Sequence, residues 1–422
     1  MVCPSTRPIP FFPDITPVSH LSTTKRRALT LDLWKTSIRA RLCSLGKRKS
    51  SVAHVVRRQR QTIWIRKMAL KSGAAQGSER RPSIVPPVVV QPGVEGLDSP
   101  VFISEDTVFP TPTFTKATMD KQKRRMPQCI AHRGYKAKFP ENTILAFDEA
   151  VKAGAKAIET DVHLTKDDVV VLSHDQTLKR CFGRKERVLE TTWDDIKGLR
   201  TLAAPHVPMA RLQDLLEYLN QPGLEDVWVL LDIKLDNHPD NVMRLIASTI
   251  AGVKPSLNKP WKKRIVLGIW AAKYLALAER HLPGYSVMHI GYKVSYARQF
   301  ESAPNVGFNL MAAMLMAPGG RRFIRDCREK LHRQLLAWTV NDKDKMEWCI
   351  RRQVDGVVTD DPSLFQSVCQ KYDEHAKEPI ISVSFRTLLD VLRIYILVTV
   401  FFWMFRRKLT GNSGLVRKVT RE

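Results

Sequence analysis

The stretch IAHRGYKAKFPENTILAFDEAVKAGAKAIETDVHLTKDDVVVLSHD, residues 130–175, decides the fold. It opens on a short apolar run ending at His132. Thr143, a good N-cap residue, then precedes Ile144, Phe147, Ala150 and Val151, which recur at helical spacing. A second apolar run, AIETDV, starts at 157, and VVVLSHD at 169 reads as a hairpin arm extending it. Strand, helix and strand in such quick succession are the repeating unit of an α/β protein.

Working outward, the pattern recurs across residues 127–370. Apolar runs begin at Cys129, Ala157, Val227, Arg264, Tyr285, Val306, Leu335 and Asp355, with amphipathic stretches between them. Eight such units in about 240 residues predict a (β/α)₈ TIM barrel. A doubly wound open sheet is the alternative, but no glycine-rich nucleotide fingerprint supports it.

The formal net charge is +26, and residues 1–70 hold 15 Lys or Arg against two acids, Asp14 and Asp32. Proline and serine clusters make residues 1–125 read as a disordered basic extension. It is either an Arg- and Ser-rich transit peptide or an upstream extension of the reading frame, with the true start at Met119 or Met126. Aromatics beyond Trp34 and Trp64 do not interleave with its charge in residues 1–70, so nucleic acid is not expected as a partner. No obligate protein partner is inferred. The seven cysteines form no Cys-x-x-Cys pair, which fits reduced thiols.

After a charged linker at 371–379 comes IISVSFRTLLDVLRIYILVTVFFWMF, residues 380–405, and then a basic tail at 406–422. The uninterrupted apolar run, Ile394 to Phe405, is 12 residues long. A spanning helix needs about 20, so an interfacial or re-entrant membrane anchor is expected rather than a clean span. Its aromatic-rich run ending in basic residues suits an anionic membrane surface. Mitochondrial, endoplasmic reticulum and lipid-droplet surfaces all suit it.

In a barrel, chemistry sits at the C-terminal strand ends, where the unusual polar residues fall. Glu159 and Asp161 are two apart in an apolar strand, so they share one face. Buried acids need compensation, from a cation or from salt bridges. Asp232, between Leu231 and Ile233, is the third candidate ligand. All-oxygen ligation points to Mg²⁺ or Ca²⁺ without choosing between them. His132 and His174 can move protons near neutral pH. Arg133 and Lys234 can hold phosphate oxygens, although Lys234 could instead pair with Glu159. Glu141 could touch the metal or the substrate, or cap the following helix with Asn142. Trp338 could touch the substrate or metal, or shape the apolar wall of the mouth. Trp270 and Tyr274 could form an apolar lip, or pack against helices.

Several ordered motifs carry a family resemblance. His-Arg-Gly at 132–134, Pro-Glu-Asn-Thr at 140–143, Glu-x-Asp at 159–161 and His-Asp at 174–175 resemble the glycerophosphodiester phosphodiesterase family. Asp232-Ile-Lys234, Trp338-Thr-Val-Asn341 and Asp355 to Pro362 follow in that family's order. Tyr-Lys-Ala-Lys after His-Arg-Gly, the Asp-x-Lys variant and the hydrophobic tail look most like the fungal phosphatidylglycerol-specific phospholipase C branch. The resemblance implies a metal-dependent hydrolase with His132 and His174 as the acid–base pair. It implies attack by a headgroup hydroxyl, a cyclic glycerophosphate, and then hydrolysis by water. The expected products are diacylglycerol and glycerol phosphate. A glycerophosphodiesterase acting on soluble deacylated lipids, or a sphingomyelinase D-like phospholipase, is the alternative. Where the wider family often carries Glu, this chain has the shorter Asp232.

Overall fold

The computed structural model describes residues 102–104, 107–256, 259–373, 383–410 and 417–419, all within the unit Pro92–Glu422. Eight strands form a parallel barrel: β1 Gln128–His132, β2 Ala157–Leu164, β3 Trp228–Ile233 and β4 Ile265–Ile269, then β5 Ser286–Gly291, β6 Gly307–Met311, β7 Leu335–Trp338 and β8 Gly356–Thr359. Each pairs with the next, and β8 pairs with β1 to close the ring. All eight strands stand where the apolar runs predict them. Val170–Leu172 is the expected antiparallel arm on β2.

Strand periodicity explains the layering. Ile130, Trp228, Leu230, Val266, Met288 and Val358 fill the barrel's interior. Their neighbours in sequence, such as Ala131, Val229, Leu231 and Leu267, join the larger core between barrel and helices. Two residues above Ile130, Ala157 and Leu230 on the same inward face come His132, Glu159 and Asp232. The fold thus aims these polar side chains into the C-terminal mouth.

The helices follow the strands: α1 Ile144–Lys152, α2 Leu212–Leu219, α3 Pro239–Gly252, α4 Lys273–His281 and α5 Val294–Ala297. Then come α6 Ala312–Met316, α7 Gly320–Asp326, α8 Lys343–Arg351 and α9 Pro362–Lys371. The Thr143 hydroxyl accepts from the Ala146 N–H and caps α1. Gly134 turns the chain from β1 towards α1 at φ +85°, and a Cβ there would lie 2.7 Å from Ala146. The long β2–α2 connection buries a small core of its own, including Val171, Leu178, Val188 and Ile196.

The expectation that residues 1–125 are disordered is corrected over 107–125. Phe109 is buried in the main core, and the Phe114 ring meets Trp228 at 5.8 Å, edge to face. Thr118–Met119 and Arg125–Met126 form a small hairpin. Gln128 fastens this strap: its amide donates to the carbonyls of Phe114 and Lys116, and accepts from the Trp228 indole at 2.8 Å. The strap closes the bottom of the barrel, away from the candidate site. Residues 1–101, most of the expected linker and the end of the basic tail lie outside the described residues.

The hydrophobic segment expected at 380–405 forms one helix, α10, Phe385–Thr410, which takes in the first residues of the expected basic tail. It crosses the barrel's upper rim. The Thr387 hydroxyl lies 3.4 Å from Asp344 on α8, Val391 packs with Ala313 and Ala317 near α6, and Phe401 meets Tyr292 just after β5. The opposite side stays in solvent: Phe385, Leu388, Leu392, Ile396 and Val400 are exposed. Among the described residues, no helix is long and apolar enough to cross a membrane. The five cysteines described there are free thiols.

Candidate active site

Asp161 and Asp232 are register partners on adjacent strands, and Glu159 lies two residues before Asp161 on the same face. One oxygen from each falls within 4.8 Å of the others, and all three residues are buried. Water cannot solvate them there, so the protein must. Lys234 places its ammonium 2.6 Å from Asp161 and 2.7 Å from Asp232. Arg133 brings Nε to 3.1 Å from Asp161, and its backbone N–H donates to Glu159 Oε2 at 3.0 Å. Asn142 donates to Asp161 Oδ2 at 2.8 Å while accepting from the Thr160 hydroxyl. The Trp270 indole donates to Asp232 Oδ1 at 2.6 Å.

Three carboxylates against two cations leave the cluster short of positive charge. Burial, with Asp161 and Asp232 alongside, pushes the Glu159 carboxyl well above its ordinary range. Burial works against Asp161 too, but Lys234 and Arg133 hold it well below the usual range. A compact, oxygen-only, charge-deficient set fits a hard divalent cation. Glu159, Asp161 and Asp232 are the residues that could hold it.

The two histidines flank this cluster. His132 Nδ1 lies 2.6 Å from Asp360 Oδ1 and its Nε2 4.0 Å from Glu159. A carboxylate only accepts, so Nδ1 carries the proton and Nε2 is left as the working nitrogen. Asn341 holds Asp360 from the other side at 2.8 Å. Burial and the nearby Arg133 charge lower the His132 pKa; Asp360 works in the opposite direction. His174 Nδ1 lies 2.8 Å from Asp175, and the His174 charge contributes to the lowering of Asp161. Arg180 donates to Asp175 at 2.7 Å and grips both Glu141 oxygens at 2.8 Å.

Most of the residues singled out in the sequence converge here. Lys234 pairs with Asp161 and Asp232 rather than Glu159. Glu141 stands apart from the carboxylate cluster. Against the opposing effect of burial, Arg180 and Arg133 hold it at a pKa of about 2, and Thr143 rather than Glu141 caps α1. Trp338 donates to the Asn309 carbonyl at 3.0 Å and stands edge-on to Trp270 in the wall. Tyr274 is fully buried among the helices, so it forms no lip.

The sequence reading places Asp360 at the end of the eighth strand and includes Asp175 and Asn142 in its motifs, but it misses their partners, and it misses Arg180 and Trp270 as a partner of Asp232 altogether. Asp360 has a signal, since an acid at the end of the last strand of a closed barrel must lie beside the first. The Asp in His174-Asp175 is another. Asn142 adopts φ 56°, a conformation Asn tolerates better than most residues, but nothing local announces it.

The model of the glycerophosphoryl diester phosphodiesterase family matches residues 132–364, more than half the chain. A glycerophosphodiester phosphodiesterase of Caldanaerobacter subterraneus subsp. tengcongensis is 29% identical over 249 residues, 57% of this chain and 97% of that protein. The uncharacterized protein YqiK of Bacillus subtilis is 31% identical over 249 residues, 56% of this chain and 96% of that one. Among solved structures, a phosphodiesterase from Oleispira antarctica, in complex with the product sn-glycerol-3-phosphate, shares the fold. Its TM-score is 0.50 at 19% identity, covering 58% of this chain and 98% of that one. With barrel, buried acids and matched motifs in agreement, this chain belongs to the glycerophosphoryl diester phosphodiesterase family and is a phosphoric diester hydrolase.

Proposed function

We propose that this chain cleaves glycerol-bearing phosphodiesters with the help of Mg²⁺ or Ca²⁺ held by Glu159, Asp161 and Asp232. The observation that carries this reading is the pair of histidines, each fixed at Nδ1 by its own carboxylate, beside one buried acidic cluster. Such a pair can take one proton and give another across a single phosphate. Bound there, the cation supplies positive charge to the phosphate oxygens. Once a cation compensates Asp161 and Asp232, the Lys234 ammonium is free to meet the phosphate, and Arg133 fixes the cluster beside it. One histidine takes the proton of the headgroup hydroxyl, whose oxygen attacks phosphorus. The other protonates the departing oxygen, and water then opens the cyclic glycerophosphate.

The finer proposal is that the lipid substrate is phosphatidylglycerol, released as diacylglycerol and glycerol phosphate at an intracellular membrane surface. The apolar helix α10 across the rim of the mouth favours it over purely soluble diesters. The +26 chain charge favours an anionic lipid. The test supplies the full chain with phosphatidylglycerol vesicles and, separately, with glycerophosphoglycerol, in Mg²⁺, Ca²⁺ or chelator. The expected result is metal-dependent diacylglycerol release, lost in His132→Ala by about 10²- to 10⁴-fold. Cleavage of glycerophosphoglycerol alone would restrict the activity to soluble diesters. Metal-independent cleavage would overturn the role of the acidic cluster.

A further inference from the structure

Four aromatic rings lead from the acidic cluster to the rim helix. Ring centres of Trp338 and Trp270 lie 5.7 Å apart, Trp270 and Tyr292 6.0 Å, and Tyr292 and Phe401 6.3 Å. Trp270, the second ring of the row, ties it to Asp232 at 2.6 Å. Phe401 fixes its outer end to α10. The rings come from the ends of β7, β4 and β5 and from a helix beyond the barrel, so the row reaches its outermost ring only because α10 lies on the rim.

The side of α10 that faces away from the barrel is apolar too. Leu392, Ile396 and Val400 are about half exposed on the outer side of α10. Arg386 and Arg393 are exposed on the same helix, beside a single acid, Asp390. An exposed aliphatic row this long on a soluble surface marks an interaction site. Flanking arginines complement an anionic surface. A wall polar at its inner end and mainly aromatic and aliphatic beyond it matches a molecule built the same way.

We propose that Tyr292 and Phe401 form an acyl-chain wall, along which the diacylglycerol part of a glycerophospholipid lies while its phosphate is at the acidic cluster, with the exposed face of α10 resting on the lipid surface. This rests on the phosphatidylglycerol reading and goes beyond it, because it makes a helix outside the barrel part of the substrate site. The wall reads the leaving group, so it discriminates acylated from deacylated substrates by contact. Headgroup chemistry stays with the barrel.

The test uses the full chain and three substrates: glycerophosphoglycerol, monomeric dihexanoylphosphatidylglycerol below its micellar concentration, and phosphatidylglycerol vesicles. The readout is the ratio of kcat/KM on the dihexanoyl lipid to that on glycerophosphoglycerol. Tyr292→Ala and Phe401→Ala should each lower this ratio about tenfold. Leu392→Ser with Ile396→Ser should leave the ratio alone and reduce cleavage of vesicles. A ratio unchanged in both wall variants, or parallel loss on both soluble substrates, would overturn the wall and leave those rings a packing role. A wild-type chain that cleaves glycerophosphoglycerol but neither lipid overturns the phosphatidylglycerol reading itself, and the wall with it.

Discussion

Trp270, just past the end of β4, donates its indole N–H to Asp232 Oδ1 at 2.6 Å, across a barrel seam of 38 residues in sequence. Asp232 is the shortest-reaching acid the cluster could use on β3, so its orientation matters more than a longer Glu's would. Partners one step removed from a metal typically change its affinity by about 10- to 100-fold when lost. Trp270→Phe keeps the ring but removes the donor. Calcium or magnesium affinity, followed by calorimetry, should fall about tenfold while the thermal midpoint of the metal-free protein hardly moves. Unchanged affinity would reduce Trp270 to a space-filling role at this acid.

His132 is expected to work as a base on the acid side of its ordinary range. Burial and Arg133 lower its pKa, so its Nε2 stays unprotonated to a lower pH than a free imidazole's. A cation bound nearby acts in the same direction. The acid limb of kcat/KM should therefore fall below the ordinary value of 6.5. Asp360 opposes this, so Asp360→Asn should move the limb further to the acid side. It also removes the group that fixes the tautomer, and kcat should drop at least tenfold. A limb that moves up on Asp360→Asn would contradict this account.

The strap at the barrel's bottom makes a different kind of prediction. A chain starting at Met126 loses the buried Phe109 and the Phe114–Trp228 contact, and leaves the Gln128 amide without its two carbonyl acceptors. Loss of a buried Phe alone costs roughly 3–5 kcal/mol. Urea unfolding of residues 107–422 and 126–422 should show a gap of about that size. Equal midpoints would mean that the strap adds nothing to the barrel.

What the sequence shows and hides has a physical pattern. The eight strands are legible because each is a short apolar run, buried on both faces. Glu159 and Asp161 are legible because charge on the inward face of such a run has no other reason to be there. The His132–Asp360 pair is not, since its members are 228 residues apart and meet only when β8 closes on β1. The strap is hidden because Phe109 and Phe114 have no periodic pattern; Phe109 is buried in the core between barrel and helices and Phe114 meets Trp228 at the barrel floor, contacts that no local spacing announces. The helix α10 is visible as apolar, but it is apolar nearly all round, so spacing cannot say which side meets the rim.

Arg180 offers the sharpest separation of support from chemistry. Its guanidinium joins Asp175, the partner of His174, to Glu141, which in turn meets Arg133 beside Asp161. One planar fork thus ties a histidine to the acidic cluster without touching either directly. Lysine keeps the charge and loses the fork, so it can hold Asp175 or one oxygen of Glu141 but not both geometries together. Arg180→Lys should lower kcat about 10- to 100-fold with little change in metal affinity, because Asn142, Lys234 and Arg133 still hold Asp161 and Asp232. Glu141→Gln should reproduce part of that loss, and the double variant should cost no more than Arg180→Lys alone, since both cut the same link. Additive losses would mean that Arg180 and Glu141 act on the site separately.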